Sequence, residues 1–299
     1  MYNQIDSNKR KTAILIAIFI AVIVLIGWIF AETTSIGYFG IVLAVFFSIS
    51  MSLASYFKGD KLALLSAGAK GPIQKNDNPY LYRMVENLAI TAGIPLPNIY
   101  VIPDSAINAF ACGRNPKNAS IAITTGAIEK LENIEMEGVI AHELSHIKNY
   151  DILLMTIVIV LVGLIALLSD WFIRINLFGG GKKSDRNSGQ IGMIIMIIGV
   201  VLLILSPIIG KIIQLAISRK REFLADASGS LLTRYPEGLA KALEKIEMDN
   251  IPLKRANNAT AHLYISSPFG KNKHLLSKLF STHPPVKERV AILRKMIKP

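Results

Sequence analysis

Two histidines four residues apart, His142 and His146, with Glu143 beside the first, spell H-E-x-x-H. Those residue types in that order suit one chemistry. A neutral imidazole is a good ligand for zinc, and a carboxylate next to the ion can take a proton from water. The surrounding run EMEGVIAHELSHIKNYD has no proline and a single glycine, so it reads as a helix. Positions four apart on a helix share a face, which lets both imidazoles reach one point while Glu143 sits one step round. A catalytic zinc needs three protein ligands and an open position. His142 and His146 supply two of the three, and Glu143 is the candidate general base. The competing reading is a polar helix face with two solvated histidines.

The third ligand must come from elsewhere in the chain, and His262, His274, His283 and the carboxylates are the candidates. In RKREFLAD, Glu222 and Asp226 stand at i and i+4 of a predicted helix, so both can face the metal helix. Glu222 could bind zinc directly, and Asp226 could accept a hydrogen bond from a liganding imidazole and fix its tautomer. Spacing alone does not separate this from an exposed charged turn paired with Arg219 or Arg221.

These residues must be positioned by a chain that is 52% hydrophobic over 299 residues, too apolar for an ordinary soluble domain. Long uncharged runs account for the excess. Ala13–Ala31 and Tyr38–Phe57 are each close to the about 20 residues that cross a bilayer, and 152–169 and 191–210 form a second pair. The first run follows Lys9, Arg10 and Lys11, and its length and the run after it favour a membrane helix over a removable signal. Positive charge at Lys9–Lys11 and Lys58–Lys61 brackets the first pair, which puts both outer ends in the cytoplasm. The loop of the second pair carries Arg174, Lys182, Lys183 and Arg186; length favours full spans, with a re-entrant or surface-lying hairpin as the alternative. With Glu222 as third ligand, that pair would have to cross twice or not at all, because His142 and His146 precede it, Glu222 follows it and the three would share a compartment.

The remainder is soluble in character. Asn78–Ala92 has helical periodicity with Pro79 at a first-turn position, Asn98–Pro103 and Ser120–Thr124 read as short strands, and INAFACG between them reads as a third. A small sheet beside the metal helix offers an edge for an extended peptide. Helices are also expected at Thr125–Glu132, at Pro236–Glu247 and after His283-Pro284-Pro285. The predicted fold is therefore α+β, mainly α: an integral membrane protein with about four transmembrane helices and a zincin-like catalytic domain split by the second hairpin. Its units are 1–57, 58–151, 152–217 and 218–299. The lone Cys112 excludes an intrachain disulfide framework and a cysteine-rich zinc site. The net charge of +12 collects at the ends of apolar segments, and without a phosphate loop or an aromatic-interleaved basic stripe no nucleic-acid partner is expected.

HELSH, the distal EFLAD and the hydrophobic hairpin between them resemble the HtpX-type membrane zinc metalloproteases, relatives of the CAAX prenyl proteases within the gluzincins. The resemblance runs through an N-terminal hairpin, NAFACG, HELSH, REFLAD and STHPP, essentially the whole chain. It implies Glu222 as third ligand of one zinc ion per chain, with Asp226 in support. It also implies that Asn108 and Ala109 hold substrate backbone, and that His283 stabilises the oxyanion. Arg289, on a basic C-terminal helix, reads as a solvated charge. The implied activity is a zinc endopeptidase of the cell (inner) membrane, facing the cytoplasm, whose polypeptide partners are misfolded or damaged membrane proteins in envelope stress. The rivals are a CAAX-type peptidase specific for a terminal motif and a non-catalytic membrane scaffold.

Overall fold

The computed structural model describes residues 2–33, 37–159, 219–256, 260–270 and 284–297. His274, His283, most of the third apolar run, the loop at 174–190 and the fourth run lie outside the described residues. Two long helices open the chain: α1, Tyr2–Thr33, and α2, Phe39–Ala67. Among the described residues α2 is the one helix long and apolar enough, by length and composition, to cross a membrane. The expected unit boundary at residue 57 falls inside α2. The helix continues past Lys58, and its last turns bury Ala63, Leu64 and Ala67 against the sheet.

Helix α3, Pro79–Ala92, begins where Asn78 accepts a hydrogen bond from the Leu81 N–H and ends at Gly93 in the left-handed conformation. Three strands follow: β1 (Asn98–Ile102), β2 (Ala109–Asn115) and β3 (Asn118–Thr124). Their order is β1-β3-β2, with β1 parallel and β2 antiparallel to β3. Ala109, Ala111, Ile121 and Ile123 face one core, and Phe110, Cys112 and Ala122 face another. A sheet buried on both faces needs no apolar–polar alternation, which is why these strands read as near-continuous apolar runs.

The predicted helix at 125–132 is interrupted. Helix α4 covers only Thr125–Lys130, Leu131 is extended, and α5 starts afresh at Asn133 and runs to Lys148. The Glu135 carboxylate accepts from the Glu132 N–H at 2.8 Å and from Lys245 at 2.7 Å, fixing the start of α5. Tyr150 then adopts a φ of 60°, breaking the helix before the chain turns helical again over 151–159. After the undescribed segment come α6 (Arg219–Thr233), α7 (Pro236–Asp249) and α8 (Val286–Lys295).

Helix α5 lies at the centre, packed between the sheet, α3, α6 and α7. Glycine permits two of these approaches. A Cβ on Gly138 would come within 2.6 Å of the Leu239 backbone N, and one on Gly229 within 2.9 Å of that of His142. Backbone thus meets backbone where α6 crosses the histidine motif, close enough for a short carboxylate side chain to reach the imidazoles.

Candidate metal centre

His142, Glu143 and His146 are all buried, so the solvated-histidine reading does not hold. From α6, buried Glu222 meets them. The His142 and His146 Nε2 atoms are 3.2 Å apart, Glu222 Oε2 is 3.8 Å from the first and Glu222 Oε1 is 3.6 Å from the second. A tetrahedral ion with bonds of about 2.0–2.2 Å holds its ligand atoms about 3.3 Å apart, so this donor set fits zinc. His142, His146 and Glu222 form the one cluster among the described residues arranged to hold a metal ion.

Each imidazole is backed by a carboxylate on its far nitrogen. Asp226 Oδ1 lies 2.9 Å from His142 Nδ1, in a contact bent away from a straight hydrogen bond. Asp151 Oδ2 lies 3.0 Å from His146 Nδ1. Both carboxylates favour a proton on Nδ1, so that with a metal bound the Nε2 atoms would be the ones to face it. Sequence reasoning found Asp226 but passed over Asp151, five residues after His146. An unbroken helix would carry Asp151 off the histidine face; the left-handed turn at Tyr150 brings it back. The Asn8 amide on α1 donates to Asp151 Oδ1 at 2.7 Å, and Arg221 Nη1 lies 3.5 Å from the same oxygen. The start of the first apolar helix is thereby tied to a candidate ligand.

Arg289 departs most from expectation. It is 1% exposed, not solvated. Its Nε and Nη2 donate to the two oxygens of Asp226 at 2.8 and 2.6 Å, and its Nη1 to the Ile265 carbonyl at 3.0 Å. Three hydrogen bonds and a bidentate partner make burial of the charge tolerable. The basic pattern of α8 hid this, because one buried arginine looks like its exposed neighbours in a sequence.

Charge in the site is polarised by burial. The Glu143 carboxyl is pushed up to about 7, chiefly by desolvation, with nearby His146 opposing and Glu222 adding to the rise. Burial would lift Asp226 too, but the Arg289 charge and the bonds from His142 and Arg289 hold it below the usual carboxylate range. Desolvation pulls both imidazoles down; it wins at His142, whereas Asp151 and Glu222 outweigh it at His146 and lift that ring to about 9. The carboxylates favour positive charge at this point, the electrostatic condition for holding a cation.

Glu143 turns toward the sheet, where the Ala111 backbone N–H bonds its carboxylate. Strand β2 is an edge, and its outward groups are occupied within the chain. The Ala109 carbonyl accepts from the Ile265 N–H at 3.0 Å, its N–H donates to the Asn108 side chain at 3.1 Å, and the Asn108 amide donates to the Ser266 carbonyl at 3.3 Å. Ala109 therefore opens the strand whose Ala111 bonds Glu143, Asn108 directly precedes it, and the two are bonded to Ile265 and Ser266. His262 lies away from the cluster with its Nε2 3.0 Å from the Met155 carbonyl. His283 lies outside the described residues.

Residues 75–297 match the sequence profile of peptidase family M48. The chain belongs to that family. Over 99% of its length it is 44% identical to a "Protease HtpX homolog" of Thermoanaerobacter pseudethanolicus, covering 98% of that relative. It is 42% identical to one of Caldanaerobacter subterraneus and 41% identical to one of Lactobacillus helveticus, again over 99% of the chain, covering 98% and 100% of those relatives. In fold it is similar to the crystal structure of S. mikatae Ste24p, with a TM-score of 0.53 at 21% identity, covering 98% of this chain and 67% of that one. The M48 membership makes the chain a protease of metallopeptidase kind, and the HtpX relatives place it among membrane proteins.

Proposed function

We propose that the chain is a membrane-integral zinc endopeptidase that cleaves unfolded segments of misfolded or damaged membrane proteins at the cytoplasmic face. The observation that carries this is the convergence of two imidazole nitrogens and one carboxylate, each imidazole backed by an aspartate, with Glu143 between them and a strand edge. His142, His146 and Glu222 would hold a single zinc ion. When bound there, zinc supplies Lewis-acid activation of water and of the scissile carbonyl.

The chain's own groups do the rest. Glu143, buried and lifted toward neutrality, accepts the proton of the attacking water and returns it to the leaving amine. Asp226 and Asp151 hold the two imidazoles in tautomer and orientation, and Arg289 holds Asp226. Positive charge from His283 would stabilise the oxyanion. The edge of β2 at Asn108 and Ala109 aligns an extended substrate backbone. A peptide taking that edge must displace the Ile265 N–H from the Ala109 carbonyl, which favours substrates long and extended enough to compete.

Purified protein offered unfolded casein and a lipid-modified C-terminal peptide tests the substrate class. Zinc-dependent cleavage of casein is expected. Cleavage of the lipid-modified peptide alone would overturn the reading in favour of a terminal-motif peptidase.

A further inference from the structure

A cavity of about 430 Å³ lies away from the metal cluster, between the first turns of α1, the middle of α2, the tip of the β2–β3 hairpin and the start of the helical stretch at 151–159. Its lining divides by chemistry. Lys9, Thr12, Tyr56, Arg114, Asn115 and Tyr150 present cations, hydroxyls and an amide, while Ala13, Ile16 and Leu153 are apolar. Among the described residues no carboxylate lines it. Among the described residues neither cation meets an acidic partner. Lys9 Nζ stands 4.9 Å from the Tyr150 ring centroid, and Arg114 lies over Phe57 at 5.0 Å and Tyr56 at 5.9 Å.

The position of the cavity on the two apolar helices says what kind of anion reaches it. The uncharged run of α1 begins at Ala13, directly after Thr12, and that of α2 ends at Phe57, directly before Lys58. Both runs therefore change from apolar to polar at the cavity's own level. Exposed apolar side chains continue along both helices from there, Ile14 and Ile18 on α1 and Phe57, Leu53 and Phe46 on α2. In a bilayer this is the depth of the phosphate groups, with acyl chains on the Ile16 side.

We propose that this cavity binds the phosphate headgroup of an anionic phospholipid. Lys9 and Arg114 neutralise the phosphate, Tyr56 and Tyr150 donate hydrogen bonds from their hydroxyls, and Ile16 and Leu153 receive the upper acyl carbons. The site rests on the reading that the apolar runs of α1 and α2 lie in a membrane.

The test uses the full chain in neutral detergent, titrated with short-chain phosphatidylglycerol, short-chain phosphatidylcholine and inorganic phosphate, and read as Kd. Saturable binding of phosphatidylglycerol is expected, tighter than that of either other probe. Lys9→Gln and Arg114→Gln should each weaken it about five-fold, equivalent to about 1 kcal/mol per cation, and the double variant about 30-fold. Lys75→Gln, an exposed cation on the loop before α3, should leave it unchanged. Equal binding of the two lipids by wild type, an outcome independent of any variant's folding, overturns the proposal. So does phosphate binding as tight as phosphatidylglycerol, or a double variant that binds like wild type. Flotation of the protein with vesicles of either lipid separates the cases: a chain that floats without anionic preference keeps the membrane reading and loses this site, whereas one that fails to float loses both.

Discussion

At the scale of single residues, the carboxylates behind the imidazoles would decide how firmly the candidate site holds a metal. Asp151→Ala would leave His146 Nδ1 without its partner at 3.0 Å, and zinc affinity should fall about 10–100-fold with the three candidate ligands intact. Equilibrium titration with a competing chelator checks this. Cys112 is fully buried, and burial pushes its thiol well above the usual range, with Asp60 and Glu143 adding to the rise. A maleimide should therefore label it only after denaturation, at pH 7 and pH 9 alike, as intact mass would show. His142 and His146 were legible because helical spacing puts them on one face. For Glu222 and Asp226 spacing allowed the same but did not exclude an exposed charged turn, and the family resemblance singled them out. Asp151 and Arg289 were not legible. One depends on a backbone break that HIKNYD does not announce, the other on which face of α8 turns inward.

At the scale of elements, the site exists because α5 and α6 touch backbone to backbone at Gly229. Gly229→Ala puts a methyl within 2.9 Å of the His142 backbone, and separating the helices should cost about 1–3 kcal/mol and withdraw Glu222 from the imidazoles. Lower thermal stability with weakened zinc binding is the expected result; unchanged zinc affinity would show that the close crossing does not position the ligand. Elements with strong local signals were readable: Asn78 and Gly93 bound α3, and the turn at Asn115–Asn118 separates β2 from β3. Sheet order was not, because nothing in NIYVI or SIAIT says that β3 lies between β1 and β2, parallel to the first. The 260–270 segment reads as plain loop, yet it pairs with the strand edge through Ile265. That contact is specified by packing of Tyr264 on Phe110, ring centroids 5.1 Å apart, and leaves no periodic trace.

At the scale of the whole molecule, the first apolar helices and the candidate metal centre form one structure. Asn8 on α1 bonds Asp151, and α2 runs on from its apolar stretch into the core beside the sheet. The cytoplasmic placement argued from Lys9–Lys11 and Lys58–Lys61 is open to a direct check in intact cells. Tyr38→Cys, at a position 80% exposed, should react with a membrane-impermeant maleimide added outside, and Lys61→Cys should not. The reverse pattern would invert the topology. In the proposed mechanism two halves of the chain, separated by the second pair of apolar runs, assemble one zinc site in which Glu143 is the base. The most direct test measures bound zinc and casein cleavage together for wild type, Glu143→Gln and Glu222→Ala. Wild type should hold about one zinc per chain and cleave, Glu143→Gln should keep the metal and lose about 10²–10⁴-fold in rate, and Glu222→Ala should lose both. A Glu143→Gln protein that cleaves as fast as wild type, or a Glu222→Ala protein that keeps its zinc, would contradict it.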